Sequence, residues 1–235
     1  MNSPSHSIID SIDSTVDIPV ERDEMVEKAV SKYIFGFYGF TKIHDSVEKL
    51  KSQVPLLAPT QIDLVLQRLL QMPYKYRPYR HSADISMYIS ALMQKSYDAG
   101  HNGFVLHTHD VQLHHLCADI QGSKERNVDM TVYGDTGSLT GEDSKWCSVR
   151  QMGNAYLNYF IGCEHIDVFI SGSVSENPLC VSTDVTFRTT NQETFDYVRE
   201  LAHVYSWPED RHLLLLDPAG KTLDSWNDSK EEAVK

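Results

Sequence analysis

The sequence predicts an α+β protein. A helical N-terminal half is followed by a short parallel β-solenoid with 19-residue coils, capped by a C-terminal helix and strand. Three observations predict it. Up to about residue 100, apolar residues recur at helical spacing. Beyond that point the apolar spacing drops to two, the period of a strand with one buried face. Between Val128 and Asn191, four segments repeat at a fixed interval, each ending in Gly or Asn.

Composition sets the frame. The 235 residues are 41% hydrophobic and 23% charged, ordinary for a globular chain able to bury a core. The net charge of −12 argues against a general binder of nucleic acid or anionic membrane. No apolar run approaches the ~18 residues that a membrane span needs. The Ser- and Asp-rich start "MNSPSHSIIDSIDSTVD" lacks the basic and apolar regions of a secretion signal. The four cysteines, Cys117, Cys147, Cys163 and Cys180, show no CxxC spacing. They read as reduced thiols of a cytoplasmic protein.

Residues 1–20 read as a flexible tail and 21–100 as the helical region. In "RDEMVEKAVSKYIFGFYGF", Met25, Ala29, Val30, Tyr33 and Ile34 fall at helical spacing. "DSVEKLKSQV" is a short amphipathic piece. "APTQIDLVLQRLLQMP" is a helix with Thr60 as its cap, a stripe of Ile62, Val65, Leu66, Leu69 and Leu70, and Pro73 as its stop. "SADISMYISALMQKSYDAG" turns Ile85, Tyr88, Ile89 and Leu92 inward and ends at Gly100. With no Pro- or Ser-rich linker near Gly100, the two halves are expected to pack together.

Residues 101–191 carry the repeat. The segments "VDMTVYGDTG", "CSVRQMGNAY", "IDVFISGSVS" and "VTFRTTNQET" begin at Val128, Cys147, Ile166 and Val185. Aligned, they give an apolar first column and an apolar second column of Met130, Val149, Val168 and Phe187. The third column is Val132, Gln151, Ile170 and Thr189. The turn column is Gly134, Gly153, Gly172 and Asn191, residues that tolerate positive φ at a corner. "GFVLHTHDV" reads as an irregular leading strand. An antiparallel meander with two strands per 19 residues is the rival reading. Residues 192–223 form the closing helix and strand. Thr190 and Glu193 have capping-box spacing, and Phe195, Val198, Leu201, Ala202 and Tyr205 make the stripe. Residues 224–235 read as a second tail.

"VYGDTGSLTG", "VRQMGNAYLNYFIG" and "VFISGSVSE" together resemble the Gly-rich coils of the GXGXG β-helix family, over residues 128–191. That family includes the C-terminal domain of the glutamate synthase large subunit and one of the subunits of formylmethanofuran dehydrogenase. The first coil keeps Gly134, Gly137 and Gly141, the second Gly153 and Gly162, and the third Gly172. The fourth has Asn191. The resemblance implies a structural and interface element, with catalytic groups elsewhere. A phosphate loop is not implied: "GDTGSLTGEDSK" matches neither nucleotide-loop pattern and carries Asp135, Glu142 and Asp143.

Three stretches carry candidate chemistry. "HTHDVQLHHL" offers His107, His109, Asp110, His114 and His115. On a strand, His107 and His109 share a face and present two imidazoles to a divalent metal such as zinc, with Asp110, His114 or His115 as a further ligand. Cys117 follows closely, and a thiol–imidazole pair there would be a nucleophile with its base. "MPYKYRPYRH" interleaves Tyr74, Tyr76 and Tyr79 with Lys75, Arg77 and Arg80, a texture that stacks and clamps single-stranded nucleic acid or grips an acidic partner. The leading functional expectation is a non-catalytic scaffold or protein-interaction module without a cofactor, working through a protein partner or self-association. The alternatives are a metal-dependent hydrolase using His107, His109 and His114, and a binder acting through Lys75, Arg77 and Arg80.

Overall fold

The computed structural model describes residues 23–37, 47–71, 79–137, 140–156, 161–175, 182–204 and 210–226. The helices come first: α1 (Glu24–Lys32), continued by a π-helical turn (Tyr33–Phe37), then α2 (Val47–Lys51), α3 (Pro59–Leu70) and α4 (Tyr79–Asp98). Asp23 caps α1 by accepting the N–H groups of Met25 and Val26 at 2.9 and 3.2 Å. The buried stripe of α1 is Val26, Ala29 and Val30, with Tyr33 beyond it. Met25 and Ile34, expected inward, are each 39% exposed. Helix α3 buries Ile62, Val65, Leu66, Leu69 and Leu70, as its spacing predicts. Its start is not capped by Thr60. Pro59 is the first helical residue, and Gln61 reaches back to accept the Ala58 N–H at 3.0 Å. Gly100, at φ 111°, ends α4.

Among the described residues, nine strands follow. β1 (Gly103–Leu113), β2 (Val128–Thr136), β3 (Lys145–Met152), β5 (Glu164–Ile170), β7 (Thr183–Thr189) and β8 (Arg211–Leu216) pair in parallel, in that order. β9 (Thr222–Trp226) lies antiparallel on β8. Two short strands, β4 (Ala155–Tyr156) and β6 (Val174–Ser175), form a side ladder that begins on Thr136 of β2. The chain is thus an α+β protein with a mostly parallel sheet, and the β2–β3–β5–β7 pairs are not the antiparallel hairpins of a meander.

The pairing register reproduces the sequence columns. Val128, Cys147, Ile166 and Val185 are successive partners, as are Met130, Val149, Val168 and Phe187. The second column extends to Phe104 on β1 and Leu213 on β8, and all six of these side chains are buried. The third column is buried throughout, including Gln151, whose amide Nε2 donates to the carbonyl of Gly134. Helix α5 (Gln192–Val204) links β7 to β8. Its cap is Asn191, which accepts the Thr194 N–H at 3.1 Å, and not Thr190. Thr194 Oγ1 in turn donates to the Gly172 carbonyl at 3.0 Å and covers the end of the glycine column. Helices and strands share one hydrophobic core. Trp226, placed by the sequence reading in a tail from residue 224, is 5% exposed and closes β9. The expected tail 1–20 lies outside the described residues.

The corners differ from the expectation. Within the turn column only Gly134 has positive φ, at 108°. Gly153 and Gly172 are required by close approach: a Cβ on Gly153 would stand 2.6 Å from the Gly134 carbonyl carbon, and one on Gly172 would stand 2.7 Å from that of Gly153. The Gly172 N–H donates to the Gly153 carbonyl at 3.1 Å. Beside the glycines runs a polar ladder. Asp135 accepts the Asn154 N–H at 2.8 Å, and Asn154 accepts the Ser173 N–H at 2.9 Å. At the opposite strand ends the left-handed conformation falls on Trp146, His165 and Asp184, with φ of 53°, 55° and 49°. These too are 19 residues apart. Trp146 stacks on His165 with 3.8 Å between centroids, and His165 Nδ1 bonds the Asp184 carboxylate. These contacts offset the steric cost of positive φ at residues bearing side chains.

Candidate functional site

The histidine stretch is divided among separate partners. His107 and His109 lie where β1 runs beside α3, and the β1–β2 register shifts between them because Thr108 and His109 together oppose Gly134. Asp63 of α3 accepts both the His107 N–H at 2.8 Å and its Nδ1–H at 2.9 Å, leaving Nε2 as the free ring nitrogen. Gln67, one turn along α3, accepts from His109 Nε2 at 2.6 Å and donates to the His107 carbonyl. The His107 ring also stacks on Tyr133 at 5.1 Å. Its centroid lies 6.5 Å from that of His109. Asp63 and Gln67 are neighbours of the histidine pair that the sequence does not single out; their signal is polar residues at i, i+4 on a helix with an otherwise apolar stripe.

His114 and His115 follow the end of β1. The His114 N–H donates to Ser82 Oγ at 2.8 Å, and its ring packs against the bare Cα of Gly137. Burial lowers the His114 pKa, with the neighbouring His115 adding to the effect. His115 Nδ1 pairs with Glu142 at 3.1 Å. Among the described residues, no three His, Cys, Asp or Glu side chains are grouped to hold a metal ion. The side chain of Asp110 lies outside the described set, as do Tyr74, Lys75, Tyr76, Arg77 and the side chains of Tyr79 and Arg80.

The described thiols are core groups. Cys117, Cys147 and Cys163 are buried and free. Burial pushes the Cys117 and Cys163 thiols up to about 12, and raises Cys147 through burial and then the neighbouring thiols. A thiolate nucleophile needs the opposite shift. The shift at Cys117 runs against activation as a nucleophile.

What the strands do assemble is a second surface, on the outward positions between the buried columns. Val105, Thr131, Arg150, Phe169, Arg188 and Leu214 are successive register partners across six strands. Beside them run His107, Tyr133 and Met152. Val105 and Tyr133 are each 45% exposed, and Met152 is 39% exposed. Over β3, β5 and β7 this face sinks into a cleft of about 420 Å³. Its floor includes Ser148, Arg150, Asp167, Phe169 and Arg188, and its wall is the β8–β9 turn from Asp217 to Gly220. Arg188 Nη2 pairs with Asp167 at 2.9 Å. Burial raises the Asp167 pKa, while Arg188 and Arg150 pull it back. No family model, curated protein or solved structure matches this chain.

Proposed function

We propose that the chain is a non-catalytic β-solenoid scaffold that binds a protein partner through the outward face of its parallel strands. The 19-residue register carries this reading. It supports a coil of one long strand, a glycine corner and a short strand, repeated and closed at its far end by α5, β8 and β9. The likeness of the coils to the GXGXG β-helix family points the same way, towards scaffold and interface. Such a stack covers its ends and leaves its lateral face open, and here that face carries exposed Val105, Tyr133 and Met152 beside Arg150. Meanwhile His107, His109 and His115 are bonded within the fold.

A photo-crosslinking residue in place of Tyr133 tests it, with the same residue at the exposed Leu223 on β9 as control. The expected result is a discrete adduct, with another protein or a second copy, from position 133 and not from 223. Metal analysis separates this reading from the hydrolase alternative. Stoichiometric zinc, manganese or iron that is lost in the double variant His107→Ala, His109→Ala, together with absence of the adduct, would replace the scaffold by a metal-dependent enzyme.

A further inference from the structure

The cleft over β3, β5 and β7 has unmet chemistry of one kind. Its floor sets Phe169 between Arg150 and Arg188, because the three residues are register partners on adjacent strands. With strands ~4.8 Å apart, the two arginine backbones stand ~10 Å apart with an aromatic ring between them. Met152, Leu216 and Pro218 add apolar surface at the rim and wall. The volume of about 420 Å³ falls within the ~300–1,000 Å³ of small-ligand sites.

By formal count the cleft is neutral, with two arginines against Asp167 and Asp217. The carboxylates are already engaged. Asp167 holds Arg188 at 2.9 Å. Asp217 turns into its own loop, where Oδ1 accepts the N–H groups of Ala219 and Lys221 at 2.9 and 2.8 Å. The arginines retain capacity. Arg150 is exposed and has no hydrogen bond or ion pair with a described residue, and the Arg188 side chain, 42% exposed, gives only its Nη2 to Asp167. The unsatisfied groups are therefore cationic donors, in a chain whose net charge is −12. A guanidinium matches the paired oxygens of a carboxylate or phosphate.

We propose that this cleft binds a small organic anion: a carboxylate, sulfonate or phosphate ester carrying a flat apolar body. The anionic group accepts from Arg150 and Arg188, and the body lies on Phe169 against Pro218. Arg150 supplies the cation that no described carboxylate bonds directly. Phe169 is what separates such a ligand from a bare inorganic ion. The ligand is a small molecule, so the site stands whether or not the lateral face also binds a protein.

Fluorescence titration of the full chain with 8-anilinonaphthalene-1-sulfonate, an aromatic anion, tests this, with its uncharged parent N-phenyl-1-naphthylamine alongside. The expected result is saturable 1:1 binding of the sulfonate, tighter than that of the parent. Arg150→Gln weakens it about tenfold, the loss of one charge-assisted contact, and leaves the parent unaffected. Because Arg150 is exposed and unpaired, this variant keeps the wild-type melting temperature. Asp167→Asn releases Arg188 and tightens sulfonate binding several-fold, a gain that general destabilisation would not produce. No saturable binding, equal affinity for the uncharged parent, or unchanged affinity in Arg150→Gln would each overturn the site. Weaker or unchanged binding in Asp167→Asn would overturn the role of Arg188.

Discussion

Replacing Gly153 by alanine puts a methyl group against the Gly134 backbone, at the end of the neighbouring parallel strand. The new Cβ stands 2.6 Å from the Gly134 carbonyl carbon, with the Gly134 carbonyl oxygen nearer still. Relaxed carbon–carbon contact begins near ~3.5 Å, so the corner must open by about 1 Å. The obstacle is backbone and cannot swing aside as a side chain would. Opening the corner also strains the bond from the Gly172 N–H to the Gly153 carbonyl and the one from the Asn154 N–H to Asp135. Overpacking typically costs about 1–3 kcal/mol, and a backbone obstacle places Gly153→Ala near the top of that range. At about 2–4 °C per kcal/mol for a chain of this size, the melting temperature falls by about 6–12 °C. Two further glycines calibrate the assay. Gly220 has φ 83° and nothing within 4 Å of an added Cβ, so Gly220→Ala reports the conformational cost alone, about 1–2 kcal/mol. Gly103 has neither positive φ nor a neighbour within 4 Å, so Gly103→Ala leaves stability nearly unchanged. Thermal unfolding followed by circular dichroism ranks the three variants. If Gly153→Ala melts with Gly103→Ala, the close-approach account of the corner is refuted.

Two further outcomes follow from the surroundings of titratable groups. Cys117, Cys147 and Cys163 hold their protons far above neutral pH, so at pH 8 a thiol reagent leaves all three unmodified in the folded protein and labels them after denaturation; peptide mapping that finds any of them modified in the native state would contradict their place in the core. Asp143 has its pKa raised by desolvation and then by Glu142 and Asp119, so its folded value lies above its unfolded one. Its contribution to stability is present below about pH 4 and lost as pH rises through the folded value. Asp143→Asn, which still tolerates φ 55°, should therefore melt higher than wild type at pH 7, with the advantage shrinking as pH falls towards 4. An advantage that grows on acidification would reverse the assignment.

Much of the architecture was legible because it is written as a period. Apolar residues two apart define a strand face wherever that face is buried, so Met130, Val149, Val168 and Phe187 could be aligned from spacing alone, and their pairing follows the same 19-residue interval. The stripe of α3 was legible for the same reason at helical period. Where several residue types meet one need, the signal was ambiguous. Asn191 occupies a turn position and also caps α5, and nothing in its neighbourhood of sequence separates it from Thr190 as the cap.

Conformation and proximity were decided only by the tertiary structure. A glycine column signals a corner without saying whether it needs positive φ or bare space, and at Gly153 and Gly172 the answer depends on the backbone of the level below. The left-handed positions fell on Trp146, His165 and Asp184, side chains that stacking and a His–Asp bond hold in place, so no glycine marked them. The partners of His107 and His109 lie on α3, more than forty residues earlier, and depend on how that helix seats against β1. The cleft is made of outward residues that burial periodicity ignores, and of a β8–β9 turn that reaches them only when the strands are stacked. A sequence records which face of each strand avoids water, because that preference is local. It does not record what the other face meets, because that depends on segments brought together by the fold.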